Sequence, residues 1–126
     1  MRIILFRGKS VETDEWVFGD FFGGADGDYI LQMDDKIKVK DNTISQFTGL
    51  FDKNYNKIFE GDILRYTHWE NNEDILYHII FEDEMGGFVL QKTILKHQCH
   101  ITQKAIYAQQ LEIIGNIYDD AYLLVE

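Results

Sequence analysis

Four consecutive residues, His97-Gln98-Cys99-His100, bring together the side-chain types that bind soft metals, and His68 and His78 lie upstream. A structural zinc site asks for four ligands at tetrahedral angles, usually as two separated pairs. His97, Cys99 and His100 give three donors crowded on four residues, and no second cysteine completes a set. The segment reads as polar chain around one small thiol, with no metal or other cofactor expected.

The oxygen donors are no better placed. Asp26 and Asp28, in "ADGDY", have the alternation of a calcium loop. Such a loop also needs further acids and a glutamate about twelve residues along, and the next acid here is Asp34. A solvated turn is the simpler reading. Glu82-Asp83-Glu84, Asp34-Asp35 and Asp119-Asp120 are runs of adjacent acids in polar turns. General acid–base catalysis needs a carboxyl group whose apolar setting raises its pKa, and solvated runs do not provide that. Ser10 and Ser45 are the only serines, and neither stands in a nucleophile motif. "GGADG" matches no phosphate-binding glycine pattern. The expectation is a protein that is not an enzyme.

The elements around these residues are short and alternating. Residues 1–8 and 16–22 read as two strands of a hairpin, and 23–28 as a loop by composition. Residues 29–32 form another short strand. "KIKVK" then alternates strictly, with Ile37 and Val39 on one side and Lys36, Lys38 and Lys40 on the other, which is the period of a half-buried strand. Residues 62–69, 75–81 and 88–91 are expected strands. The stretch 93–110 is ambiguous, with room for a short helix over 103–110, and "LEIIGNIY" reads as a strand interrupted by glycine. Asp119-Asp120 is placed to cap a last helical turn. Many short strands divided by glycine and asparagine turns point to a mostly-β barrel or sandwich.

The densest pattern is "TGLFDKNYNKIFEGDILRY", residues 48–66. Its polar segment 52–57 is a hairpin connection between apolar flanks. Glu60-Gly61-Asp62 is a second tight turn, in which Gly61 supplies backbone freedom and the Asp62 carboxylate is placed to accept a nearby backbone N–H. Small SH3-like barrels often enter a strand through such a Gly-Asp-Ile corner. In the 52–57 loop, Asn54 or Asn56 is expected to take the left-handed backbone conformation in preference to Tyr55, because asparagine tolerates it better.

Charge and composition limit the partners. The chain has 126 residues, 45% hydrophobic and 14% aromatic, ample for a folded core. Its 22 acids against 12 bases give a net charge of −10, which repels phosphate backbones and anionic membranes. Direct nucleic-acid binding is therefore disfavoured, and the Lys36/Lys38/Lys40 stripe reads first as a solvent face that protects a sheet edge. With one cysteine, no run long enough to span a bilayer and an N-terminal apolar stretch of four residues, a soluble protein of the bacterial cytoplasm is expected.

In these same residues the chain resembles the YopX family of phage and prophage proteins. The similarity lies in Thr48-Gly49-Leu50, Asp52-Lys53-Asn54 and the run 58–63, "IFEGDI". It continues in "EIIGNIYDD" at 112–120, and at the start in "FRGK" and "EWVFGDF". It spans essentially the whole chain. Tyr55 departs from the pattern, which usually has glycine after "DKN". The resemblance implies a mostly-β protein with an SH3-type barrel and implies no known activity.

The expected fold is a single domain, residues 1–126. It has N-terminal strands over about 1–47, an SH3-like barrel lobe over about 48–126 and at most short helices. Gly49, Leu50, Gly61, Asp62, Gly115 and Asn116 are expected to be structural. An interaction module that binds a host or phage protein is the leading function. An acidic DNA mimic or nucleic-acid-associated barrel comes second, and a metal-dependent enzyme third. Homo-oligomerisation is expected from the apolar strands "FVLQ" and "ILYHIIF", whose edges need cover.

Overall fold

The computed structural model describes residues 3–67, 73–84, 86–92, 98–100 and 110–124, with the backbone alone at 92 and 98–100. The chain divides into two compact units, Met1–Gly49 and Leu50–Glu126.

In the first unit, β1 (Phe6–Lys9), β2 (Trp16–Gly24), β3 (Gly27–Gln32) and β4 (Asp35–Lys38) form an antiparallel meander. β5 (Ser45–Phe51) pairs with the other side of β1 and carries the chain into the second unit. Residues 23–28 are not a loop. β2 and β3 pair up to Gly24↔Gly27, leaving Ala25 and Asp26 as the turn. Glycine composition suggested a break, but the flanking Phe21↔Ile30 and Phe22↔Tyr29 pairs extend the ladder through it. β1 starts at Phe6, later than expected, and Ile3 and Ile4 lie exposed before it.

The "KIKVK" alternation is realised, with Val39 buried, Ile37 half-buried and the three lysines exposed. Val39 packs on Gly8, and the Val11 and Lys40 amides donate to the Lys38 and Lys9 carbonyls, so the end of β4 curls back to the end of β1. The β2–β3 pair also involves close backbone approach. A Cβ on Gly19 would stand 2.0 Å from the Leu31 carbonyl oxygen, which excludes any side chain there. Ile30 and Val39 are fully buried.

The second unit holds β6 (Lys57–Phe59), β7 (Asp62–Thr67), β8 (Asp74–Glu82), β9 (Gly87–Lys92), β10 (Gln98–His100) and β11 (Glu112–Asn116), then one 3-10 turn, Ala121–Leu124. Five strands pair in the order β10-β9-β8-β7-β11, every neighbour antiparallel. Alternate residues Leu64, Ile79 and Leu90 project to one side and join Ile58 and Leu111 in a fully buried core, flanked by Leu50, Tyr66 and Phe88.

The mostly-β expectation holds. The closed SH3-like barrel does not appear, because both sheets are open among the described residues. "ILYHIIF" lies in β8 between β7 and β9, and "FVLQ" lies in β9 between β8 and β10. Neither is a sheet edge, so the motive for self-association based on them falls away. The readings of 93–97 and 101–109, including the helix proposed over 103–110, lie outside the described residues.

Candidate functional site

The motif residues at 48–63 and 111–120 turn out to be joined by side-chain-to-backbone hydrogen bonds. Asp52, essentially buried, is the hub. Its Oδ1 accepts the amides of Asn54 and Asn56, both at 2.9 Å, and its Oδ2 accepts that of Ile113 in β11 at 3.1 Å. Lys53 N–H donates to the Leu111 carbonyl beside it. A buried carboxylate is tolerated only when its lone pairs are used in this way. Asp52 opens the 52–57 hairpin connection, and aspartate at the start of a turn commonly accepts amides close by in sequence. Its third bond, to a residue 61 positions away, left no sequence signal.

Asp62, also buried, accepts the Phe59 amide at 2.7 Å, the bond expected of it. Gly61 has φ +88°, its amide donates to the Ile79 carbonyl, and its own carbonyl accepts from Ile117. A Cβ here would meet Tyr118 at 2.7 Å. Gly49 also has φ +88°, and Leu50 flanks the core. Gly115 follows the register shift in β11, and Asp120 packs against it, returning a carboxylate oxygen to the Asn116 amide. Asp120 therefore reaches back toward β11, while only its carbonyl accepts from Leu123 in the final turn. Asn116 Oδ1 accepts the Tyr118 and Asp119 amides. Burial pushes the Glu112 carboxyl up, but Lys53 and Arg65, both paired with it, outweigh that and hold it below its usual range.

Tyr55, rather than Asn54 or Asn56, occupies the left-handed position, at φ 64°. The reason is the Asp52 carboxylate, which engages the amides of both asparagines and so fixes their backbone conformations. Tyr55 is left at the tip, 85% exposed, with its amide bonded to the Asp52 carbonyl.

A second constellation combines exposed and buried side chains on one sheet face. In the β2–β3–β4 ladder, Asp20↔Leu31↔Lys36 and Phe22↔Tyr29↔Lys38 are directly opposite one another, so their side chains share one face, as does that of Phe18. Phe18 and Phe22 are each 43% exposed. The Lys36 ammonium lies 4.4 Å from the Tyr29 ring centre and 5.3 Å from that of Phe22. Tyr29 donates its hydroxyl to Asp26 at 2.8 Å, which raises the phenol pKa and lowers that of the carboxyl. Farther along the same face Arg7 stacks on Trp16, with 4.3 Å from its guanidinium carbon to the ring centre. Lys40 pairs with Asp14 at 2.5 Å, and this bond, with the charges of Lys40 and Lys9, lowers the Asp14 pKa. The lysine stripe and the exposed aromatics, treated separately in the sequence, thus form one surface.

The remaining candidates are used or separate. Asp26 is engaged by Tyr29. The Ser45 hydroxyl accepts from Arg7 Nε, and that of Ser10 accepts the Glu12 and Thr13 amides. His78 lies in β8 with its Nδ1 buried and without a hydrogen-bond partner, and burial lowers its pKa. His68 and His97 lie outside the described residues, as do the side chains of Cys99 and His100. Among the described residues no three His, Cys, Asp or Glu side chains gather as a metal site, and no helix is long and apolar enough to cross a membrane.

The family model described as YopX protein matches residues 6–125, nearly the whole chain. The chain belongs to the YopX family. No curated protein matches it. Among solved structures, it is similar to protein EF1440 from Enterococcus faecalis, with a TM-score of 0.57 and 24% identity over 98% of this chain and 99% of that one. At that identity the likeness speaks to the fold alone. In this structure Asp52, Asp62 and Asn116, within the matched residues, accept backbone amides.

Proposed function

We propose that this YopX-family protein is a non-enzymatic protein-interaction module of a phage or prophage, acting in the host cytoplasm on a polypeptide of the host or phage. The observation that carries this reading is the β2–β4 face, where Phe18 and Phe22 stand 43% exposed beside an ordered Tyr29. Aromatic side chains whose positions are already held by neighbours bind with little loss of conformational entropy, and they are enriched at protein interfaces. The polar groups of the signature motifs favour a scaffold role over catalysis, because Asp52, Asp62 and Asn116 all accept backbone amides.

A second reading, direct contact with single-stranded nucleic acid, draws on the same face, since Lys36 and Lys38 flank Phe22 and Tyr29. Asp20 on that face and the net charge of −10 weigh against it. The test is affinity capture from prophage-bearing cells with wild-type and Phe18→Ser/Phe22→Ser baits, read by mass spectrometry. A polypeptide retained by the wild type and lost with the variant supports the reading. Identical recovery with both baits removes this face from it. Nucleic acid recovered with the wild type and lost with Lys38→Glu replaces it with the second.

A further inference from the structure

We infer that the partner of the β2–β4 face is a second copy of this chain, packed face to face about a two-fold axis running along β3. The inference rests on the protein-binding reading of that face and names its occupant.

The argument is one of self-complementarity. A two-fold interface uses the same patch twice, so every group on it must meet something acceptable from its own patch. Asp20, Leu31 and Lys36 lie in one row across three strands, and Phe22, Tyr29 and Lys38 in the next but one along each strand. Strands are about 4.8 Å apart, so the acid and the base of the first row are separated by about 10 Å, with Leu31 between them. An axis along β3 exchanges the positions of β2 and β4. It sets Asp20 of each copy over Lys36 of the other, and Phe22 of each over the other's Lys38. Leu31 and Tyr29 lie along the axis. Two charge pairs and two cation–aromatic contacts form, and none of these four positions meets its like.

Charge decides against the other occupants. A polyanion would have to accommodate Asp20 in the same row as Lys36, as well as the chain's overall −10. A purely apolar partner would leave Asp20 and two lysines without counterparts. A second copy supplies both signs in the required order. It is repelled by the net charge only at long range, where salt screens it.

The test is the mass in solution by light scattering or sedimentation equilibrium over a dilution series. The wild type is expected at twice the chain mass of 14.8 kDa. Asp20→Lys sets lysine against Lys36, and Lys36→Asp sets aspartate against Asp20, so each variant alone should fall to the monomer mass. Mixing the two should restore the dimer mass. A mixed pair opposes the introduced lysine to the introduced aspartate on one side and the native Asp20 to the native Lys36 on the other. Circular dichroism on each variant verifies that these exposed substitutions leave the fold intact. A monomeric wild type overturns the inference, and so does a dimer indifferent to both substitutions. In the first case the face remains available to another polypeptide, so failure here is distinct from failure of the capture experiment.

Discussion

Asp52 is essentially buried, and a carboxylate there would be strongly destabilising without its three amide donors. Asp52→Ala should therefore cost about 3 kcal/mol in urea unfolding. Asp52→Asn keeps one oxygen for Asn54 and Asn56 but turns an NH2 toward Ile113, so a loss of about 1–2 kcal/mol is expected. An alanine variant that loses less than about 1 kcal/mol would mean that water replaces the carboxylate. At Gly61 both the φ of +88° and the approach of Tyr118 oppose a side chain. Gly61→Val is expected to lose about 1–3 kcal/mol by the same measurement, and full tolerance of valine would remove that account. The two positions differ in legibility. Gly61 could be read from its neighbours, because a tight turn before a strand is a local event. The reach of Asp52 to β11 could not, because nothing near Asp52 in sequence marks Ile113.

Elements were legible where their cause was local periodicity, and were misread where pairing overrode composition. The "KIKVK" alternation placed Val39 inside and the lysines outside, because one strand face was already specified by its own residues. Residues 23–28 failed as a loop because the β2–β3 ladder extends through the glycines. The 52–57 hairpin connection was read correctly as a loop but with the wrong residue in the left-handed region. Tyr55 there is a strained choice at an exposed tip, which predicts that Tyr55→Gly raises the unfolding free energy by about 0.5–1 kcal/mol. A lower midpoint in urea would instead assign the tyrosine ring a stabilising contact. β8 contains a different kind of strain. His78 faces Ile63 and Gln91 across the sheet, and Arg65 projects on the same side one pair along. Burial depresses its folded pKa below 6.5. As pH falls through 6.5 the unfolded chain takes up a proton that the folded chain accepts only at lower pH, so stability is lost from there down to the folded pKa. Between pH 7 and pH 5.5, His78→Leu should lose less stability than the wild type. Equal losses would assign the acid sensitivity to other groups.

At the scale of the whole molecule, charge is the property most plainly written in the sequence and least explained by local structure. Several of the described bases are engaged in particular contacts. Lys9 and Lys40 lie at Asp14, Lys53 and Arg65 at Glu112, and Arg7 on Trp16. These pairings sit among 22 acids opposed by only 12 bases, so most carboxylates repel one another through solvent. Two effects of added salt then compete. Screening weakens exposed ion pairs, each contributing about 0–1 kcal/mol. It also relieves the collective repulsion of a net charge of −10, acting over a Debye length that shrinks from about 30 Å at 0.01 M to about 8 Å at 0.15 M. With 22 acids against 12 bases the like-charged pairs outnumber the unlike ones, so the relief of repulsion is expected to prevail. A net gain of about 1 kcal/mol corresponds to a rise of about 4 °C in melting temperature for a chain of this size. Thermal unfolding followed by circular dichroism at fixed protein concentration, with sodium chloride raised over that interval, should show the rise. A melting temperature that falls with salt would mean that the few local pairs at Asp14 and Glu112 outweigh the collective repulsion, and that the acidic surface is less destabilising than its count suggests.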